Sequence, residues 1–331
     1  MRIVRPQGNS VVAVEEAPDP SPGPGEVVIE AGVSALCGSE LHSYRGAGSR
    51  EGNSGHEAVG TVVVLGDGVT TLAVGQRVGV CAVAGCGKCA YCARGEYTWC
   101  PDRTGYGSMH AERFVAAARA CHVLPDDVNS EAGVLLSGDG LGVPYHTSTK
   151  LTSPDISTVA VFGVGPIGMG NVLVQAYLGR RVIAVDVAPA RLETSRRLGA
   201  SDTVDAREHD SAQRVRELTD GRGADACIEA AGRPETALAC FAAVRTAGTV
   251  VFNGEQKEVP LSPSEHFIRR DITAVGSWFY HYGEFPDMLA YYRDGLRVTD
   301  LISHRFPLAE AAEAFRTFAS GESTKVLLTY P

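Results

Sequence analysis

Clustered positive charge is missing from this chain. Its 30 Lys and Arg stand against 39 Asp and Glu, a formal net charge of −9, and no block of like charge forms a tail. Phosphate backbones and anionic membrane surfaces reward clustered Lys and Arg, so neither a nucleic-acid nor a membrane-surface partner is expected. No apolar run of about eighteen residues occurs, so no membrane-spanning helix is expected. Met1-Arg2-Ile3-Val4 leads straight into a strand-like run, with no apolar region behind a basic start. A signal peptide is therefore not expected, and a cytoplasmic location is. No internal repeat of the solenoid kind is present.

What remains is ordinary for a soluble globular protein: 44% hydrophobic and 21% charged residues. A length of 331 residues exceeds most single cores, so two domains are expected. No helical period appears before residue 36. Ser10 to Glu15 and Glu26 to Val33 read as strands, and the proline-rich stretch between them, Pro18 to Gly25, cannot hold a helix or a central strand. Val59 to Leu65 and the segment after Gly75 add further short strands, an array that suggests a small barrel.

Nine cysteines could indicate disulfides, but four of them, Cys86, Cys89, Cys92 and Cys100, fall within fifteen residues. In an unexported protein this spacing reads first as metal. Two residues between thiolates let successive sulfurs turn to one centre, and a fourth closes a tetrahedron with no open position, hence a structural zinc. An iron–sulfur cluster and a redox dithiol are the alternatives. Cys81, Cys121, Cys227 and Cys240 have no neighbours at ligand spacing and read as ordinary residues.

A second set of candidate ligands is looser. Cys37-Gly38-Ser39-Glu40-Leu41-His42 is followed by Gly55-His56-Glu57. Thiolate, imidazole and carboxylate are the ligand types of a catalytic zinc with one open position. Ser39 reads equally as a helix N-cap and His42 as a surface histidine. Arg45, Arg50 and Glu51 belong either to a rim that touches a polar ligand or to a solvated loop. Asp139 lies in a Gly-rich, otherwise apolar turn, where an unpaired carboxylate is costly. A metal would neutralise it, and an N-cap role for the next helix is the alternative.

From Ser157 the pattern becomes alternating strand and helix. Thr158 to Phe162 is a continuous apolar strand, as a parallel sheet covered on both faces requires. Gly163-Val164-Gly165-Pro166-Ile167-Gly168 follows as G-x-G-x-x-G, then a helical run, then a strand ending at Asp186. In that setting the glycines admit a pyrophosphate to the N–H groups of a helix N-terminus, and Asp186 accepts from ribose hydroxyls. A carboxylate there repels a 2′-phosphate, which favours NAD over NADP. Arg191 either flanks the adenosine or is solvated. The aromatic run Trp278 to Tyr282 reads as core or a subunit contact before a substrate box.

In this order, Cys37-Gly38-Ser39-x-x-His42, Gly55-His56-Glu57, the four-cysteine lobe, the glycine fingerprint and the closing Lys325-Val326 resemble the zinc-dependent medium-chain alcohol dehydrogenase family. The resemblance spans essentially the whole chain and leans to the polyol and threonine dehydrogenase branch. It implies an α/β protein with two parts. A GroES-like β-rich catalytic domain would come from residues 1–146 and 283–331, with the zinc lobe at about 81–103. A Rossmann domain, a doubly wound parallel sheet that binds NAD, would occupy 147–282 between them. The family's catalytic zinc lies in the cleft between the domains. By similarity Cys37 and His56 are zinc ligands, Asp139 holds the place of the third, and Glu57 is an alternate ligand. Ser39 and His42 match the proton relay. Gly38 stands where some relatives carry a basic residue for the cofactor pyrophosphate.

The expected reaction is reversible oxidation of a secondary alcohol to a ketone by NAD, with a polyol, cyclitol or sugar-derived alcohol as the small-molecule substrate. The competing readings are a primary alcohol or aldehyde dehydrogenase, a zinc-free reductase of the same superfamily, and a non-catalytic NAD- or zinc-binding sensing module. Relatives form dimers or tetramers, so a homo-oligomer is expected.

Overall fold

In the computed structural model, which describes all of Met1–Pro331, the strand Glu26–Ala35 has three antiparallel partners: Ala58–Leu65, Arg113–Ala117 and Lys325–Thr329. The last of these comes from the far end of the chain. Leu327 lies opposite Ala35 and Leu328 opposite Ser34, so the C-terminal segment completes a sheet begun by the N-terminal one. Two units result, Met1–Gly142 with Tyr280–Pro331, and Val143–Phe279. The sequence placed these divisions at 146/147 and 282/283.

In the first unit seven strands form one mixed sheet. Its order runs Ile302–Pro307, Lys325–Thr329, Glu26–Ala35, Ala58–Leu65, Arg77–Val80, Cys121–Val123, and Arg113–Ala117 pairs with Glu26–Ala35 off this path. No ladder joins the two ends. The small barrel expected from the strand array is therefore not closed by a hydrogen-bonded ladder. Strand count sets the number of ladders and leaves closure to shear and tilt. The helix Ala311–Ser320 buries Ala311, Ala314, Phe315 and Phe318, an i, i+3, i+4, i+7 stripe, against Leu36, Tyr44, Val326 and Leu328. That contact fixes the segment just before Cys37 from below. Leu308–Glu310 is a 3₁₀ turn that leads into this helix.

The second unit is a six-stranded parallel sheet in the order Asp202–Asp205, Arg181–Asp186, Thr158–Phe162, Ala224–Glu229, Val244–Phe252, Thr273–Gly276. Numbered by sequence this is 3-2-1-4-5-6, the doubly wound dinucleotide-binding order. All five residues of Thr158–Phe162 are buried, which is why that strand reads as an uninterrupted apolar run. The strand order reverses beside this central strand, so the loop after Phe162 opens at the switch point. Across the whole chain no helix is long and apolar enough to cross a membrane.

Candidate active site and metal centres

Cys37 follows the strand Glu26–Ala35 and opens a short 3₁₀ turn, Gly38–Glu40. The turn is closed by a capping box in which the Glu40 carboxylate accepts the Cys37 N–H at 2.9 Å. Ser39 is therefore not the N-cap, which is Cys37. His56 enters on the segment before the strand Ala58–Leu65, and Asp139 is the first residue of the helix Asp139–Ser148. From these three places the side chains converge. Cys37 Sγ lies 3.2 Å and His56 Nε2 3.0 Å from Asp139 Oδ2. With Glu57 they form a group whose ligand atoms all lie within 4.8 Å of one another.

The cluster fits a metal ion on three counts. His56 Nδ1 bonds the Ser54 carbonyl at 2.8 Å, so Nδ1 carries a ring proton and Nε2 is the nitrogen turned to Asp139, where a metal would take the place of the Nε2 proton. Asp139 Oδ1 is buried and has no hydrogen-bond partner, a costly state for a carboxylate oxygen unless a cation is meant to sit there. The protonation preferences agree. Burial raises the Cys37 thiol and Asp139 raises it further. Burial opposes charge on His56 and Asp139 alike, yet each holds the other ionised, His56 well above and Asp139 below its ordinary value. Each shift expresses one demand for positive charge where the three atoms meet.

Glu57, fully buried, is tied back from this point. Lys325 Nζ donates to its Oε1 and the Gly140 N–H to its Oε2 at 3.3 Å. Burial raises the Glu57 carboxyl and Lys325 pulls against that rise. Ser39 and His42 are exposed on consecutive turns, and no hydrogen bond joins their side chains.

The four-cysteine lobe also gathers. Cys89 Sγ is 3.5 Å and Cys86 Sγ 3.9 Å from Cys92 Sγ, and all four sulfurs with Cys100 lie within 4.8 Å. A tetrahedral zinc with sulfurs at about 2.3 Å needs sulfur–sulfur edges of about 3.8 Å. A cluster would bind each thiolate to a different iron and hold them further apart, so the geometry favours a single ion over the iron–sulfur alternative. The Lys88 N–H beside Cys86 lowers that thiol to about 7. Cys81, Cys121, Cys227 and Cys240 are buried and unpaired, as ordinary core residues. Tyr280 is buried and Tyr282 stacks on His122 and Tyr97, so those two aromatics of the run are packing residues.

In the second unit Gly163 turns with φ +86°, and a Cβ there would meet Ala231 Cβ at 2.6 Å. A Cβ on Gly168 would meet the Gly163 carbonyl oxygen at 1.9 Å, so helix and strand pack in contact at this point. Gly165 is the N-cap and Pro166 the first residue of the helix Pro166–Tyr177, and a Cβ on Gly165 would touch nothing within 4 Å. The open space at this helix N-terminus fits a pyrophosphate. Val164 lies in the loop and Ile167 is the second residue of the helix. Asp186 accepts the Val164 N–H at 2.8 Å and the Ala188 N–H at 2.9 Å, and Arg191 lies 3.7 Å away with its Nε buried and unpartnered.

Residues 23–126 match the alcohol dehydrogenase GroES-like domain and residues 166–293 the zinc-binding dehydrogenase domain. A sorbitol dehydrogenase of Halalkalibacterium halodurans is 31% identical, over 97% of this chain and 96% of its own. The chain belongs to the zinc-dependent medium-chain alcohol dehydrogenase family. Solved relatives agree in fold. Alcohol dehydrogenase TADH from Thermus sp. ATN1 superposes with TM-score 0.90 at 28% identity over both whole chains. An alcohol dehydrogenase from E. coli CFT073, complexed with NADH, superposes with TM-score 0.88 at 25% identity over 99% of each. The protein is an alcohol dehydrogenase, an enzyme acting on a small-molecule alcohol, and its cofactors are zinc and a nicotinamide dinucleotide.

For this dehydrogenase the sequence alone assigned no role to three buried polar residues near the candidate ligands. Lys325 entered only as part of the closing Lys325-Val326 motif. Glu40 and His110, which meet at 2.8 Å, come from segments seventy residues apart.

Proposed function

We propose that this enzyme reversibly transfers a hydride from the C–OH carbon of a secondary alcohol to NAD, giving a ketone, and that its substrate is a polyol, cyclitol or sugar-derived alcohol. The observation that carries the reading is the convergence of Cys37, His56 and Asp139 with Asp139 Oδ1 left unpartnered. Those three side chains would hold the catalytic zinc, with Glu57 as an alternate ligand, and Cys86, Cys89, Cys92 and Cys100 the structural one. Lewis acidity toward the alcohol oxygen is what zinc supplies at such a set. Ser39 would take the hydroxyl proton as its own proton passes to the exposed His42 and on to solvent, a relay that requires the two side chains to turn towards each other.

Hydride acceptance is the chemistry of the nicotinamide ring. The chain's part is to seat the dinucleotide: the pyrophosphate on Gly163, Val164, Gly165, Pro166, Ile167 and Gly168, the ribose on Asp186, the adenosine flank on Arg191. The Asp186 carboxylate opposes a 2′-phosphate, which supports NAD over NADP. The sorbitol dehydrogenase relatives support the polyol class. The edge strand Thr273–Gly276, paired on one side only, is available for pairing in a homo-oligomer, dimer or tetramer.

The test is initial-rate NADH absorbance with NAD or NADP against hexitols, cyclitols, aminocyclitols, threonine and short primary and secondary alcohols. NAD-dependent turnover confined to polyhydroxylated secondary alcohols is expected. Turnover with simple primary alcohols alone would overturn the substrate class.

A further inference from the structure

The two ligand-bearing segments of the first unit share one buttress. We propose that His110 is a positioning residue for the zinc site, holding Cys37 and His56 at the separation the metal needs. The inference rests on the zinc reading above.

The ring of His110 acts on the Cys37 side. Its Nε2 lies 2.8 Å from Glu40 Oε2, and Glu40 Oε1 accepts the Cys37 N–H at 2.9 Å. The backbone of the same residue acts on the His56 side. Asn53 Oδ1 accepts from the His110 N–H at 3.2 Å and from the Gly55 N–H at 3.0 Å, while Asn53 Nδ2 returns a bond to the His110 carbonyl at 3.2 Å. Met109 N–H closes the pairing on the Gly55 carbonyl at 3.0 Å. Gly55, directly before His56, lies flat against the ring, where a Cβ would stand 2.5 Å from His110 Cδ2. No larger residue fits there without moving one partner.

One set of donor directions satisfies the whole run. Tyr330 hydroxyl donates to Ser34 Oγ at 2.7 Å, Ser34 donates to His110 Nδ1 at 2.8 Å, His110 Nε2–H donates to Glu40, and Glu40 accepts from Cys37. His110, Ser34 and Glu40 are essentially inaccessible to solvent. Leaving any member without its partner costs about 1–3 kcal/mol, so the network resists distortion. Two of its branches stop at the backbone of one proposed ligand and at the neighbour of the other. The remaining ones end at Tyr330 and at Val4, whose carbonyl accepts from Asn53 Nδ2 at 3.0 Å and whose N–H donates to the His110 carbonyl at 2.9 Å.

The experiment counts zinc. The parent protein and the variants His110→Ala, Glu40→Ala and Glu40→Gln are challenged with a chromogenic chelator, and release from the catalytic and the four-cysteine sites is followed as separate phases. Loss of an outer partner weakens metal sites by about 10–100-fold, so His110→Ala and Glu40→Ala should speed release of the catalytic zinc by that order. The lobe zinc should leave at the parent rate. Glu40→Gln should stay near the parent, since its amide oxygen still accepts the Cys37 N–H and its NH₂ donates to His110 Nε2 once the ring proton moves to Nδ1.

If His110→Ala fails to fold, the contrast between Glu40→Ala and Glu40→Gln carries the test. Parent-rate release in both alanine variants, or equal acceleration of both zincs, would overturn the inference while leaving the zinc reading intact. A parent protein that binds zinc only in the lobe would overturn that reading, and this inference with it.

Discussion

Lys325 Nζ and the Glu57 carboxylate form an ion pair inside the first unit, both side chains closed to solvent, beside Cys37, His56 and Asp139. Removing one partner of a buried pair leaves an uncompensated charge and costs about 3–5 kcal/mol. Lys325→Met is therefore expected to destabilise the protein by that order. Adding Glu57→Gln in the same chain should recover part of the loss, because a neutral amide needs no cation. Urea unfolding of both variants beside the parent checks this. A double variant no more stable than Lys325→Met would show that Glu57 is not the group left exposed.

Asp186 takes its two backbone N–H bonds from the glycine loop and from Ala188, which fixes the carboxylate in the position proposed for the ribose contact. Hydrogen bonds to a charged group contribute about 1.5–3 kcal/mol. Asp186→Ala should therefore lower kcat/KM for NAD by about 10–100-fold, with a smaller loss, or a gain, for NADP. Steady-state rates with each dinucleotide at fixed alcohol measure the ratio. Equal losses with both would mean that the carboxylate does not discriminate.

Legibility followed the distance between the residues that make each feature. The lobe cysteines and the Gly163–Gly168 loop with Asp186 are local, and strand, turn and helix around them could be read in the same window. Cys37, His56 and Asp139 are spread over a hundred residues, and only the family resemblance brought them together before the fold did. Glu57 and Lys325 lie 268 residues apart; no spacing rule reaches that far. The edge strands Asp202–Asp205 and Ile302–Pro307 escaped notice because they are mostly exposed or half-buried, so neither alternates cleanly. Closure of the first sheet was not legible, because short strands look alike in an open sheet and in a closed barrel.

The lobe offers a prediction that separates the zinc proposed there from the proposed dinucleotide site. Cys100 is buried and its Sγ accepts the Cys86 N–H at 3.3 Å, so it anchors the cluster besides being a proposed ligand. Cys100→Ser should lower zinc content by one ion per chain and reduce thermal stability, since a structural site contributes directly to folding. NAD affinity by fluorescence titration should stay at the parent value, because every residue of the Gly163–Gly168 cradle belongs to the other unit. Undiminished zinc in this variant would remove Cys100 from the ligand set.

His122 supplies a pH dependence away from either metal cluster. Its ring is sandwiched between Tyr282 and Phe285, with centroids 4.2 and 4.1 Å apart, and burial pushes it down to about 3. In the unfolded chain the same histidine titrates near 6.5. Its folded pKa is thus depressed, and the stability linked to the neutral ring is complete above about 6.5 and drains away as pH falls towards 3. Within that window the unfolded state binds a proton that the folded state refuses, worth about 1.4 kcal/mol per pH unit. His122→Phe keeps an aromatic ring in the stack and removes the titration. Between pH 6 and pH 4 the variant should therefore gain on the parent by about 1.4 kcal/mol for each unit of acidification. Urea midpoints for both proteins at pH 7, about 6, about 5 and about 4.5 give the comparison, with any acid loss of zinc common to the two. Parallel pH profiles would mean that the ring is protonated in the folded protein, and that the stack opens to admit the charge.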